Sequence, residues 1–242
     1  MNFLPPMGRS ALLLDLDGTL LDIAPTPDSV IVPPGLLVSL RALLVQLGGG
    51  LAVISGRPVA QVDALLDALA FAVSGEHGGQ LRFGPAAALE RSDLPEPPTH
   101  WRILAETIAQ AHPGTLLEPK SRGFVLHYRA APSHGPALRA ALTELIAGQD
   151  KFILMPARKA WEIRPAGADK GTAVAALMAR TPFAGRLPIF IGDDVTDEDG
   201  MTAARALGGA GLLVESAFGT PQGVRDWLAV SAIAGQWAAL PA

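Results

Sequence analysis

The stretch ALLLDLDGTLLD, residues Ala11–Asp22, decides the fold. Its first part, Ala11–Leu16, is a short and almost wholly apolar run, which is typical of a strand buried on both faces of a parallel sheet. The run closes on two acids, Asp15 and Asp17, and a glycine and a threonine then allow a tight turn beside an anion. A buried strand that ends in carboxylates predicts an α/β fold with its polar chemistry at one edge of the sheet.

Short apolar runs alternate with helical stretches through most of the chain. The predicted strands are 11–16, 51–55, 71–74, 188–191 and 212–214, and the predicted helices are 33–47, 58–69, 169–179, 196–207 and 224–237. Strands that are apolar on both faces, separated by helices, indicate a doubly wound, Rossmann-like parallel sheet covered on both sides. Asp169 is expected to cap the helix that follows it.

The middle of the chain has a different pattern. Residues 84–98 are rich in proline, which predicts a loop or linker. A helix, a strand and a strand then follow, twice over: helices at 101–111 and 135–146, and strands at 116–120, 124–129, 152–155 and 160–164. Two such units side by side form a small α+β domain. We therefore predict a core of residues 1–97 and 166–242 with an inserted α+β cap domain at 98–165.

Composition excludes several classes of protein. The 242 residues contain no cysteine, which excludes a disulfide scaffold, a thiolate metal site and a cysteine nucleophile. The net charge of -4 argues against nucleic acid as a partner, because phosphate backbones require a basic surface. No apolar run approaches the ~18 residues that a membrane-spanning helix needs, and the N-terminus lacks a signal pattern. We expect a cytoplasmic protein with no membrane partner; a monomer is preferred, although the sequence leaves the oligomeric state open.

Polar side chains collect where the predicted strands end. They are Asp15, Asp17, Ser55, Asp193 and Asp194. Because the carboxyl ends of parallel strands meet at one edge of the sheet, these groups are expected to lie together. Crowded carboxylates repel one another and need a cation, and a set of oxygen ligands without cysteine suits Mg²⁺.

The same residues can transfer a phosphoryl group. Asp15 and Asp17 are two positions apart, so a strand would aim both to one side, where one attacks phosphorus and the other handles a proton. Ser55 would supply a hydrogen-bond donor and Lys170 a positive charge for the phosphate oxygens. The set is sufficient for transfer through an aspartyl phosphate.

Four motifs carry a resemblance to a known group of enzymes. In chain order they are DLDGTLLD at 15–22, VISGRP at 53–58, DKG at 169–171 and GDDVTDED at 192–199. Together they resemble the haloacid dehalogenase superfamily of phosphotransferases. The resemblance implies that Asp15 is the nucleophile, that Asp17 is the general acid and base and gives a backbone oxygen to Mg²⁺, and that Ser55 and Lys170 bind phosphate.

The last motif supplies the metal-binding acids. By the same resemblance, Asp193 ligates Mg²⁺ beside Asp15 and Asp17. Asp194 and Asp197 match further acids that either ligate the metal or hold its water, and we place Asp194 among the metal ligands.

The position of the insertion narrows the resemblance. Ser55 and Lys170 are 115 positions apart, so the cap lies between the second and third motifs, as in the sugar-phosphatase branch. Longer stretches, above all GFVLHYR at 123–129 and EIRP at 162–165, resemble the trehalose-6-phosphate phosphatase family. This implies Mg²⁺-dependent hydrolysis of trehalose 6-phosphate through an aspartyl phosphate, in trehalose biosynthesis.

Charged residues of the predicted cap suit a sugar better than a phosphate. Glu118 and Lys120 alternate on one strand and so share a face, and Glu162 lies on a neighbouring strand. Carboxylates and an ammonium can accept from and donate to sugar hydroxyls, and the resemblance implies that these three hold the glucose ring distant from the phosphate. His77 and Arg129 match further substrate-binding positions, although Arg129 could instead pair with an acid.

Other readings stay open. Arg57 could reach phosphate or cap the next helix, and we favour the role as a helix cap. The substrate could be another sugar phosphate, as in sucrose-6-phosphate or mannosyl-3-phosphoglycerate phosphatases. A sugar phosphomutase would retain the phosphate, and a non-enzymatic sugar-phosphate sensor would need a missing nucleophile, metal acid or lysine.

Overall fold

The computed structural model describes residues 4–25, 29–67, 71–84 and 86–241. The chain divides into two units: Met1–Ser92 with Asp169–Ala242, and Asp93–Ala168. The second unit is therefore an insertion in the first. Our sequence boundaries for this insertion were 98 and 165, and its role as a cap stays a prediction.

A seven-stranded sheet forms the larger unit. Its strands, numbered along the whole chain, are β1 (Ser10–Leu14), β2 (Leu51–Ile54), β3 (Ala72–Gly75), β4 (Gln80–Arg82), β5 (Glu90–Arg91), β10 (Leu187–Gly192) and β11 (Ala210–Leu213). They are ordered β11-β10-β1-β2-β3-β4-β5. The five strands from β11 to β3 run parallel, and β4 and β5 add an antiparallel edge.

Helices cover both faces of this sheet. They are α1 (Leu36–Gln46), α2 (Val59–Leu65), α5 (Lys170–Met178), α6 (Glu198–Ala206), α7 (Val214–Ala217) and α8 (Pro221–Ala234). Side chains of β1 alternate between the two layers: Leu12 and Leu14 join one apolar cluster with α1 and α8. Ala11 and Leu13 join another cluster with α5 and α6. This period of two across a doubly buried strand confirms the predicted doubly wound α/β class.

Local differences from the sequence prediction have physical reasons. Strand β5 lies inside 84–98, a segment for which the sequence predicts a loop. The two residues of β5 are exposed and show no apolar alternation, so the sequence pattern does not reveal the strand. Strand β1 ends at Leu14, so the acids after it lie in a loop rather than on a strand. The helix predicted at 58–69 ends at Leu65, and residues 68–69 of that prediction lie outside the described residues. The cap by Asp169 is confirmed, since its side chain accepts from the Thr172 backbone.

The smaller unit is a four-stranded antiparallel sheet with two helices on one face. Its elements are α3 (His100–Ala111), β6 (Leu116–Pro119), β7 (Phe124–His127), α4 (Gly135–Leu145), β8 (Phe152–Ala157) and β9 (Ala160–Pro165). The strand order is β6-β7-β9-β8. The side chains of Trp101, Leu126, Leu138 and Ile163 pack helices against sheet. This confirms the repeated helix–strand–strand pattern.

The helices are short throughout the part of the chain that the structure describes. The longest, α8, has 14 residues, and none is long and apolar enough to cross a membrane.

Candidate active site

Strand β1 lies where the sheet order reverses, because β2 follows on one side and β10 on the other. Loops at the carboxyl ends of such neighbouring strands diverge and leave a crevice, which is where α/β sheets bind ligands. Asp15 follows β1 and Asp193 follows β10. The Asp15 backbone N–H still donates to Ile191 O at 2.9 Å, which fixes the start of its loop.

A buried ammonium joins carboxylates from two of these loops. Lys170, the first residue of α5, is 3% exposed, and its Nζ lies 2.5 Å from Asp15 Oδ1 and 2.5 Å from Asp197 Oδ1. Asp169 caps this helix through the Thr172 N–H, which holds Lys170 at the first turn. Residues far apart in sequence thus form one buried charge network.

Three carboxylates come close enough to hold a cation. One oxygen from each of Asp15, Asp193 and Asp197 lies within 4.8 Å of the others. Asp193 is half-buried against Gly18, where an added Cβ would come 2.1 Å from Asp193 Oδ2. Gly18 has a φ of +89°, so glycine meets both the backbone and the space requirement at this position.

The second oxygen of Asp15 fits a metal ligand. Asp15 Oδ2 is buried and has no hydrogen-bond partner among the described residues. Asp197, by contrast, is fully engaged: its Oδ1 accepts from Lys170 and its Oδ2 accepts from the backbone N–H groups of Asp193 and Asp194, both at 3.0 Å. Asp194 Oδ1 accepts from the Val195 N–H and caps a short 3₁₀ turn. Asp15 and Asp193 are therefore the best placed of these acids to ligate a metal directly.

The pKa shifts of the network reflect its crowding. Burial and the negative charge of Asp197 raise the pKa of Asp15 well above its usual value, against the opposing effect of Lys170. Burial alone would lower the pKa of Lys170, but the charges of Asp15 and Asp197 outweigh it and raise that pKa. The lysine therefore stays charged, and the excess negative charge calls for a further cation.

Asp17 has a different partner from Asp15. The Arg57 guanidinium contacts both of its oxygens, with Nε 2.6 Å from Oδ2 and Nη2 2.8 Å from Oδ1. The favoured prediction that Arg57 caps the next helix is wrong, because α2 begins after Pro58 without a side-chain cap. Arg57 instead joins the loop after β2 to the loop after β1 by a planar, bidentate pair.

Ser55 and His77 meet at the loop after β2. Ser55 is buried, and its Oγ accepts from the Arg57 N–H at 3.1 Å. His77 lies in a 3₁₀ turn with a φ of +54° and donates its backbone N–H to Ser55 O at 3.1 Å. Its imidazole packs so closely on Gly56 that an added Cβ there would lie 2.6 Å from Nε2. The structure thus brings His77 beside Ser55.

A second group of polar residues lies in the smaller unit, on its sheet. Lys120 Nζ is 2.5 Å from Glu118 Oε1, and His127 Nε2 is 2.8 Å from Glu118 Oε2. Glu162 is buried on β9, and its register partner Val125 also pairs with Glu118. Glu118, Lys120 and Glu162 therefore share one face, as the alternation predicted. Arg129 lies in the turn after β7, with Nη2 3.4 Å from Arg158 O.

The contacts of Glu118 predict a pH-dependent stability. Burial would raise the pKa of Glu118, but the His127 hydrogen bond and the Lys120 charge outweigh it and lower that pKa from 4.5 to about 2. Because the folded pKa is lower, ionised Glu118 stabilises the protein above pH 4.5, and this stabilisation is lost as the pH falls toward 2. We expect Glu118→Gln to lower the melting temperature at pH 6 and to lower it much less at pH 2.5, in thermal unfolding followed by circular dichroism.

Glu106→Gln is the matched control, because Glu106 is exposed on α3 in the same unit. Its melting temperature should follow the wild type at both pH values. An equal deficit of Glu118→Gln at pH 6 and pH 2.5 would contradict the effect of ionisation.

Comparison with known proteins decides the family. A model of the family described as trehalose-phosphatase matches residues 13–221, which spans the four motifs and the insertion. The chain belongs to the trehalose-phosphatase family. Trehalose-6-phosphate phosphatase of Escherichia coli K12 is 37% identical over 208 residues, which are 85% of this chain and 77% of that protein. The predicted family resemblance is thereby confirmed.

Solved structures bear out the trehalose-phosphatase fold. The C-terminal domain of trehalose-6-phosphate phosphatase from C. albicans matches with a TM-score of 0.77 at 20% identity, over 93% of this chain and 92% of that one. A haloacid dehalogenase-like hydrolase from Bacteroides thetaiotaomicron matches with a TM-score of 0.64 at 15% identity, over 90% and 98%. At these identities the matches show the fold alone.

Sequence reasoning left three contacts of this trehalose-phosphatase chain undescribed. They are the Arg57–Asp17 pair, the Lys170–Asp197 pair and the His127–Glu118 contact. The resemblance had marked Asp197 and His127 as motif residues, yet without partners. The two residues of each contact are 40, 27 and 9 positions apart, in the order given. Spacing along the chain therefore does not predict these three contacts.

Proposed function

We propose that this chain hydrolyses trehalose 6-phosphate to trehalose and phosphate in trehalose biosynthesis, in the cytoplasm, with Mg²⁺ as cofactor. Membership of the trehalose-phosphatase family supports the reaction. The observation that carries it is Asp15: buried Lys170 holds one oxygen, and the other oxygen is buried and has no hydrogen-bond partner in the described part of the chain. A carboxylate oriented in this way suits a nucleophile.

In the first half of the proposed reaction, a carboxylate oxygen of Asp15 forms a bond to phosphorus while the bond from phosphorus to the sugar oxygen breaks. Asp17 gives a proton to that leaving oxygen. Arg57 contacts both carboxylate oxygens of Asp17. One of these contacts therefore has to break before Asp17 can donate its proton to the leaving oxygen. The Ser55 hydroxyl and the Lys170 ammonium stabilise the phosphoryl oxygens.

In the second half, Asp17 takes a proton from water, and the water oxygen bonds to phosphorus of the aspartyl phosphate. The bond from phosphorus to Asp15 breaks, which frees phosphate and restores the carboxylate. Lys170 stays charged throughout, because both of its carboxylate neighbours raise its pKa.

The donor set fits a divalent cation. Its oxygen-only chemistry, the three close carboxylates and the partnerless Asp15 Oδ2 support Mg²⁺ over a softer metal. We propose the carboxylates of Asp15 and Asp193 and the backbone oxygen of Asp17 as ligands, with Asp194 as a further candidate. When bound, Mg²⁺ would neutralise charge on the transferring phosphoryl group.

The sugar contacts are assigned to the smaller unit. Glu118, Lys120 and Glu162 share one face and offer acceptors and a donor to hydroxyl groups. His77 and Arg129 are proposed as further substrate-binding residues. A sugar phosphate is thereby favoured over a simple phosphate ester.

Phosphate release from three substrates tests the function. Trehalose 6-phosphate, sucrose 6-phosphate and glucose 6-phosphate are incubated with the enzyme and Mg²⁺, with EDTA in parallel. We expect kcat/KM for trehalose 6-phosphate to exceed the other two by about 100-fold, because buried polar groups left without partners reject a wrong sugar strongly. EDTA should abolish release in every case.

Each other outcome has a distinct meaning. Preference for sucrose 6-phosphate would assign the chain to another sugar phosphatase. Equal rates on all three would contradict sugar selection and leave a general phosphatase. Turnover that needs a sugar bisphosphate activator and releases no phosphate would indicate a mutase.

A further inference from the structure

The register of the smaller sheet puts a fourth charged residue, Arg164, on the face of Glu118 and Glu162. Glu118 pairs with Val125 and Val125 with Glu162, so these three form one row across the sheet. Positions two apart on a strand share a face. Arg164 therefore stands beside Glu162 in the next row.

That next row contains Lys120, Gly123 and Arg164. The Lys120 backbone N–H donates to Gly123 O at 3.1 Å. The β7–β9 register pairs Phe124 with Ile163, and continuing it by one position places Gly123 opposite Arg164. An added Cβ on Gly123 would lie 2.0 Å from Ile163 O and 3.3 Å from Arg164 Cα, so a side chain does not fit there. The row thus has two cations with no side chain between them.

Arg164 is buried, and two of its three guanidinium nitrogens lack a hydrogen-bond partner among the described residues. The residue is 6% exposed, and its Nε and Nη1 have no hydrogen-bond partner among the residues that the structure describes. Burying these two nitrogens is costly, because their N–H groups lose water and gain no acceptor from the described residues. Such an arrangement suits a group whose acceptor arrives with a ligand.

The charged side chains on this face indicate which ligand atoms they can bind. Glu118 and Glu162 offer acceptors, and the ammonium of Lys120 offers a donor while it also contacts Glu118 at 2.5 Å. A sugar hydroxyl both donates and accepts, so a face that binds one sugar ring needs donors as well as carboxylates. Arg164 supplies N–H groups, on Nε and Nη1, that no described residue engages.

We infer that Arg164 is a specificity-determining residue that donates hydrogen bonds to hydroxyl oxygens of the substrate's sugar. The inference rests on the proposed function and adds a residue to its sugar site. It assigns no part of the phosphoryl transfer to Arg164.

The test is Arg164→Met, which keeps an unbranched apolar stem and removes the guanidinium donors. We expect KM for trehalose 6-phosphate to rise by about 10- to 100-fold with kcat within about 3-fold, the size of a lost charged hydrogen bond. Inhibition by inorganic phosphate, which has no sugar, should keep its wild-type Ki. The melting temperature without ligand should equal or exceed that of the wild type, because buried N–H groups that no described residue engages have been removed.

Two further variants sharpen the test. Arg158→Met removes the same charge from an exposed turn of the same unit and should match the wild type in KM and Ki. Arg164→Lys restores the charge without the fork of donors and should recover only part of the loss in KM.

The remaining outcomes overturn the inference. A wild-type KM in Arg164→Met would show that Arg164 does not bind the sugar. A raised Ki for inorganic phosphate would show that Arg164 binds the phosphate instead. A clear fall in melting temperature, or failure to fold, would make its role structural. If the wild type itself does not hydrolyse trehalose 6-phosphate, the proposed function is wrong, and this result is distinct from a failure of the Arg164 variants.

Discussion

Asp15→Asn is expected to lower kcat for trehalose 6-phosphate by about 10⁴-fold or more, while the protein still folds. The amide oxygen is a poor nucleophile, so the aspartyl phosphate does not form. Burial and Asp197 already raise the pKa of Asp15, which means that its ionised form destabilises the folded protein. Because Lys170 keeps Asp197 as its buried partner, removal of this charge should leave the melting temperature equal to or above that of the wild type, without added metal.

The matched control for this variant is Asp22→Asn, in the same sequence motif. Its carboxylate is 66% exposed and pairs with Arg225 at the surface, so both kcat and KM should stay close to wild type. Steady-state phosphate release and circular dichroism measure the two proteins side by side. Near-wild-type turnover by Asp15→Asn would refute its assignment as the nucleophile.

Lys170→Met is expected to impair both folding stability and catalysis. The ammonium is the buried partner of Asp15 and Asp197, at 2.5 Å from each. Breaking a buried ion pair leaves its carboxylates uncompensated and costs about 3–5 kcal/mol. For a chain of this size the melting temperature should fall by roughly 6–20 °C, and kcat should fall as the phosphoryl oxygens lose their cation.

The pH dependence separates charge from packing in this variant. Protonation of Asp15, whose pKa is already raised, removes one of the two carboxylate charges that the ammonium compensates. The deficit in melting temperature should therefore shrink as the pH falls from 7 toward 4. Lys151→Met removes the same charge at an exposed site and should show no deficit at either pH. A deficit that stays constant with pH would indicate lost packing instead.

The sequence motifs predicted the fold class and the list of site residues, because both depend on the types of residues that are neighbours along the chain. The strand at β1 is recognisable from its apolar residues alone, and the cap by Asp169 needs only the backbone three residues on. The partner of Arg57 was not predictable in this way, since Asp17 lies on a different loop. The short strand β5 was missed because its exposed residues carry no apolar alternation.

The sequence by itself determined that strands buried on both faces end in carboxylates, and that an α+β insertion separates the second motif from the third. These are properties of residue type and spacing, which short-range physics converts into strands, turns and helix caps. Only the tertiary structure decided which charges meet: Lys170 with Asp15 and Asp197, and Arg57 with Asp17. Such pairs depend on where strand ends converge in space, and no local pattern along the chain encodes that distance.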